Sequence, residues 1–120
     1  MFKFWGKVKT YARRGKTLGF PTANIDLHKN IPEGIYISQT KVEGKIHPSL
    51  TFIGKARTFN GTKFQSETFI LNFNKEIYGS WLTIVLLKKI RENEKFSSQE
   101  DLIKQIKKDE ETAIKYFSHK

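Results

Sequence analysis

From its start to about Leu87 the chain sets apolar and polar positions in short runs cut by turn residues, which predicts strands over 2–10, 34–42, 45–53, 67–73 and 81–90. Several short strands at close spacing point to a sandwich or a barrel. Within 81–87, Trp-Leu-Thr-Ile-Val-Leu-Leu, both alternating faces are mostly apolar. A strand of that kind is covered on both sides, here by a barrel interior and a helix. The helix follows soon after. Ser97 opens Ser-Ser-Gln-Glu, a capping box closed by Glu100, and Leu102, Ile103, Ile106, Ala113, Ile114 and Phe117 then recur at helical spacing. The pattern predicts one amphipathic helix over 98–117, with Lys104, Lys107, Lys108, Glu110 and Glu111 on a solvated face.

A length of 120 residues fits one domain spanning 1–120, and 38% apolar with 13% aromatic residues suffices for a packed core. The net charge of +10 favours an anionic partner without choosing among nucleotide, nucleic acid and anionic membrane. No apolar run approaches the roughly 20 residues that span a bilayer, and the first residues lack the pattern of a signal peptide. We therefore expect a cytoplasmic protein. With no cysteine, thiolate chemistry and cysteine-based metal sites are excluded, and His28, His47 and His119 show no ligand spacing.

Three segments offer chemistry. Gly15-Lys16-Thr17 resembles the end of a phosphate-binding P-loop, but Thr10 stands where the first glycine belongs and Pro21 disfavours the helix such a loop must open. As an irregular basic loop, Arg13, Arg14 and Lys16 beside Gly15 and Gly19 could still bind phosphate, and a solvated turn accounts for them equally well. In Pro21-Thr22-Ala23-Asn24-Ile25, an extended backbone would put Thr22 and Asn24 on one face. Such oxygens suit Mg²⁺ completed by substrate phosphates and water, though polar residues after a proline more often satisfy a turn. Glu67 opens an apolar row with Phe69, Leu71 and Phe73. A partly desolvated carboxylate can act as a general base near neutral pH, and an exposed strand-end Glu is the plain alternative.

In this order the segments resemble the riboflavin kinase family, the kinase domain that stands alone in eukaryotes and ends bacterial bifunctional FAD synthetases. The most specific match is Leu18-Gly19-Phe20-Pro21-Thr22-Ala23-Asn24, which looks like the family's PTAN segment. Pro32 to Tyr36, Ile53-Gly54, Thr58-Phe59, Ile77-Tyr78-Gly79, Ile90-Arg91 and Lys95-Phe96 match in register. The resemblance implies a six-stranded antiparallel Greek-key β-barrel with a C-terminal α-helix. It implies that ATP phosphorylates riboflavin to FMN, leaving ADP. It assigns Thr22 and Asn24 to Mg²⁺, and Gly15, Lys16, Gly19 and Pro21 together with Thr22 and Asn24 to the nucleotide phosphates. Glu67 would be the catalytic base, and Arg91, Phe96 and Tyr78 would lie near the flavin, with Phe59 a further candidate to stack on its ring.

Two departures stand out. Arg13-Arg14-Gly15 replaces the family's Gly-Arg-Gly, and Ala56-Arg57-Thr58-Phe59 replaces its Arg-Pro-Thr-Phe. No HxGH-type adenylyltransferase motif occurs, so a stand-alone kinase that does not make FAD is expected. The rival readings are a small basic barrel binding RNA or single-stranded DNA and a degenerate flavin- or nucleotide-binding domain without turnover. The basic residues are spread widely along the chain, which argues against nucleic acid, and a closed barrel with a capping helix leaves no edge to pair. The expectation is therefore a monomer acting on riboflavin and ATP, with neither nucleic acid nor membrane as a partner.

Overall fold

The computed structural model describes residues 2–11, 22–58, 61–73, 75 and 77–118, and of residues 10, 11, 56–58 and 61 the backbone alone. The strands are β1 (Phe2–Lys7), β2 (Thr10–Tyr11), β3 (Ala23–Asp26), β4 (Gly34–Val42), β5 (Lys45–Thr58), β6 (Gly61–Ile70) and β7 (Trp81–Arg91), followed by helix α1 (Gln99–Ser118). All pairings are antiparallel, in the order β1-β7-β4-β5-β6-β3-β2. β4, β5 and β6 form a meander, and β7 returns to lie beside β4, which is a Greek key. Six strands build a nearly closed barrel, and the two-residue β2 extends its far edge.

Local sequence explains the turns. Glu43 and Gly44, with φ of 49° and 81°, join β4 to β5 directly after the Val42–Lys45 pair. Positive φ at both central residues matches the right-handed twist of the strands they connect. The predicted strand over 2–10 divides in two because it crosses the barrel seam. β1 pairs with β7, Val8 N–H donates to Ser80 O, Lys9 N–H donates to Asn24 O, and β2 pairs with β3. At this seam a Cβ on Gly6 would overlap Ile25 Cγ2, so only glycine lets the two edges approach.

The barrel interior holds Phe4, Ile25, Tyr36, Ile53, Ile70, Leu82, Ile84 and Leu86. On the outer face, α1 lays Ile106 and Ala113 against Ile37, Leu50, Phe69 and Leu71, with Leu87 and Ile90 of β7 packed alongside. β7 is thus covered on both sides only toward its C-terminal end, where Leu87 and Ile90 pack beside α1. At its start Trp81 is exposed, so the second covered face expected over 81–87 holds only in part.

Several boundaries differ from expectation. β6 runs over Gly61–Ile70 rather than 67–73, so Glu67 stands within a strand instead of opening one. The polar stretches 54–58 and 61–65 read as loop but pair with each other to extend the β5–β6 hairpin, and Asn72, at φ 51°, turns the chain after Leu71. The helix cap is Ser98, whose Oγ accepts from the Asp101 amide at 3.2 Å, one residue later than the Ser97–Glu100 box. Ile114 is exposed rather than packed, whereas Asp109 is buried. No helix among the described residues is long and apolar enough to cross a membrane.

Candidate active site

On the outer face of β3 and β6, Asn24 and Glu67 are direct cross-strand partners, and Phe52 of β5 pairs with Glu67 from the other side. Paired residues of an antiparallel sheet share a face, so register alone brings these three together. Thr22, one turn of the pleat before Asn24, donates from Oγ1 to Glu67 Oε1 at 3.5 Å. Thr22 and Asn24 are both buried, and Asn24 Oδ1 has no hydrogen-bond partner among the described residues. A buried amide oxygen left unmatched costs free energy, so Asn24 Oδ1 calls for a contact that the described residues do not supply. The oxygens of Thr22 and Asn24 are hard donors of the type Mg²⁺ accepts, and Mg²⁺ ordinarily takes few protein ligands and completes its shell with phosphates and water. The residues present fit that ion.

Beside this group opens a cleft of about 340 Å³ between the sheet and the segment that leads into α1. Glu67, Phe52, Gly54, Arg91, Asn93, Phe96 and Leu102 are among its walls. Arg91 ends β7 and is fixed by Asp109 of α1: Nε donates to Oδ1 at 3.0 Å and Nη2 to Oδ2 at 2.7 Å, while Gln105 Nε2 donates to Oδ1 at 3.0 Å. This fork, with Asp109 only 3% exposed, ties the helix to the wall of the cleft. The Arg91 guanidinium also lies 6.0 Å from the Phe96 ring centroid. Asn93 closes the opposite wall, donating from Nδ2 to Ile53 O at 3.0 Å.

Of the residues singled out in the sequence, Thr22, Asn24 and Glu67 converge, and Arg91 and Phe96 line the same cleft. Tyr78 does not join them. It sits in the turn before β7, 67% exposed, at the end of that strand opposite Arg91. An 11-residue strand separates the two, so Tyr78 is not among the residues that line this cleft. Gly15, Lys16, Gly19, Pro21 and Phe59 lie outside the described residues. Sequence reasoning missed Phe52, Asn93 and Asp109. The helical period does put Asp109 on the same side as Ile106 and Ala113, three and four residues away, and a carboxylate on an apolar stripe was the available signal.

An antiparallel barrel with a cleft beside a carboxylate and buried hydroxyl and amide oxygens has the form of a small-molecule-binding domain. Residues 1–117 match the family model Flavokinase, riboflavin kinase. The chain belongs to the riboflavin kinase family.

Among its relatives is the bifunctional riboflavin kinase/FMN adenylyltransferase of Bacillus subtilis, 36% identical over 113 residues, covering 89% of this chain and 36% of that protein. The protein of the same name from Haemophilus influenzae is 36% identical over 120 residues, covering 98% of this chain and 39% of the other. The chain thus spans less than two-fifths of the length of these relatives. The crystal structure of riboflavin kinase from Trypanosoma brucei matches with a TM-score of 0.67 at 26% identity, covering 97% of this chain and 76% of that one. A macrolide-efflux protein from Streptococcus pneumoniae matches with a TM-score of 0.83 at 33% identity, covering 92% of this chain and 38% of that one.

Proposed function

We propose that this chain is a riboflavin kinase, transferring the γ-phosphate of ATP to the ribityl 5′-hydroxyl of riboflavin to give FMN and ADP. The observation that carries the proposal is the convergence of Glu67, Thr22 and the unmatched Asn24 Oδ1 beside a cleft walled by aromatic rings.

Phosphoryl transfer asks a protein mainly to position the reactants and to neutralise charge on the phosphate oxygens. Thr22 Oγ1 and Asn24 Oδ1 would hold Mg²⁺, which when bound supplies that neutralisation. Glu67 accepts the proton of the ribityl hydroxyl as its oxygen forms a bond to the γ-phosphorus and the bond from phosphorus to the ADP oxygen breaks. The proton then passes to solvent. Phe52 and Phe96 offer apolar rings to the isoalloxazine, and the Asp109 fork keeps Arg91 aligned along the same wall. Arg13, Arg14 and Lys16 add positive charge for the nucleotide. We further propose a cytoplasmic monomer, since a nearly closed barrel leaves little edge for pairing.

The test is FMN formation from riboflavin and Mg-ATP, followed by chromatography, for the wild type and Glu67→Gln. Removing a general base is expected to lower kcat by about 10²- to 10⁴-fold with riboflavin binding retained. A folded wild type that binds riboflavin but makes no FMN would leave a flavin-binding domain without turnover.

A further inference from the structure

Tryptophan is on average a well-buried residue, yet both tryptophans of this chain are exposed, Trp5 at 64% and Trp81 at 65%. They stand on one face. β1 pairs Trp5 with Thr83 and Lys7 with Trp81, so the two indoles are diagonal neighbours on the outer surface of the sheet, roughly 7–8 Å apart at their Cα positions. The row through Trp5 continues by register to Thr83, Lys41 and Ile46, and the next row runs from Lys3 to Val85 and Gln39. Lys3, Lys7 and Lys41 are all exposed, and no Asp or Glu stands in these rows. Helix α1 covers other positions of the same outer surface, Ile37, Leu50 and Phe69 among them. A hollow of about 230 Å³ lies beside Trp5, edged by His28, Lys29 and Asp26, whose carboxylate is paired with Lys9 and Lys63.

We propose that this face binds single-stranded nucleic acid, with bases over Trp5 and Trp81 and phosphates against Lys3, Lys7 and Lys41. Aromatic platforms interleaved with cations are how proteins hold unpaired strands, because every base has a face to stack and every linkage a negative charge. A protein partner would ask instead for an apolar centre depleted of charge, whereas here Lys7 pairs with Trp81 and lies two residues from Trp5 on the same face of β1. The wide spread of lysines along the sequence spoke against nucleic acid, but strand pairing gathers those of β1 and β4 beside the two indoles.

Because the chain has no other tryptophan, its tryptophan emission, excited selectively over that of its four tyrosines, reports on this face alone. The experiment titrates the full chain at low salt with uridylate RNA and thymidylate DNA of about 15 nucleotides, near the upper site size of small single-strand binders. A duplex of equal length, polyglutamate and phosphatidylserine vesicles serve as competing probes. Single strands are expected to quench the fluorescence and to bind more tightly than duplex. Trp5→Ala and Trp81→Ala should each weaken binding about tenfold while leaving FMN formation unchanged. Log affinity should fall with log salt at a slope of about −2 for three neutralised phosphates. Binding of only one of the two strands would support the proposal and identify the sugar it prefers. The proposal is overturned by absence of binding at low salt, by binding that both alanine variants retain in full, or by equal Trp-dependent binding of polyglutamate or vesicles.

Discussion

Strand β6 carries two polar clusters on its opposite faces, and they are built differently. Inward, Thr68 Oγ1 bonds Thr51 Oγ1 at 3.0 Å, Thr51 bonds Ser38 at 2.8 Å, Ser38 bonds Ser49 at 2.6 Å and Ser49 bonds Thr40 at 2.8 Å. These five hydroxyls are almost wholly inaccessible and meet one another's requirements, so the chain runs through the barrel interior without needing solvent. Outward, Glu67 meets Thr22 across a long 3.5 Å bond, and Asn24 Oδ1 is buried with nothing opposite it among the described residues. A polar cluster that satisfies itself specifies structure, and one that leaves an atom unmatched is shaped for a ligand.

The largest effect on stability is expected inside the barrel. Thr51→Val removes a hydroxyl shared by Ser38 and Thr68 and leaves both with one partner fewer. Unfolding in denaturant should show a loss of about 1–3 kcal/mol, while FMN formed per folded molecule stays near the wild-type rate. An equal loss of activity would merge the two clusters into one functional network.

Asp26 tests the outer face with a residue whose needs are met, since Lys9 Nζ lies 2.7 Å and Lys63 Nζ 2.8 Å from its Oδ2. Burial pushes its carboxyl upward, but hydrogen bonds and charge from Lys63 and Lys9 outweigh that and hold it below the ordinary 3.8. A carboxylate depressed by folding contributes stability that is full above its unfolded value and is lost as pH falls through the lower folded value. Acid titration of thermal stability should therefore descend more steeply for the wild type than for Asp26→Asn below about pH 4. The difference at neutral pH should be under about 1 kcal/mol, because both lysines are largely exposed.

Asn24→Leu should have the smallest effect on stability and the sharpest meaning. Among the described residues Oδ1 has no hydrogen bond to lose and a desolvation cost disappears, so thermal stability is expected to hold or rise slightly. The apparent KM for Mg-ATP is expected to climb about tenfold, in line with the loss of one good polar contact of about 1.4 kcal/mol. A clear fall in stability without a change in KM would make Asn24 a structural residue like Thr51.

Much of the inner architecture was legible beforehand. The apolar run over 81–87 identified a strand, and the period from Leu102 to Phe117 identified the helix that covers its C-terminal end at Leu87 and Ile90 while leaving Trp81 exposed. Local patterns were least informative where pairing extends polar sequence. Lys55 to Thr58 and Thr62 to Gln65 have no apolar alternation to mark them, and their backbone becomes strand because each supplies the other's hydrogen bonds. The hydroxyl chain was also invisible, because serine and threonine read as surface until five of them from three strands are superposed inside a barrel.

For the site, the sequence by itself determined the candidates Thr22, Asn24 and Glu67 and the resemblance that gave them roles. It also determined that Thr22 and Asn24 would share a face if extended, since side-chain alternation is a property of one strand. The tertiary structure alone decided that Asn24 sits opposite Glu67, that Asp109 rather than solvent meets Arg91, that Tyr78 stands away from the cleft, and that two distant tryptophans become neighbours. Each of these depends on which strand lies beside which and in what register, and register is settled by the packing of the whole sheet and not by any one segment of it.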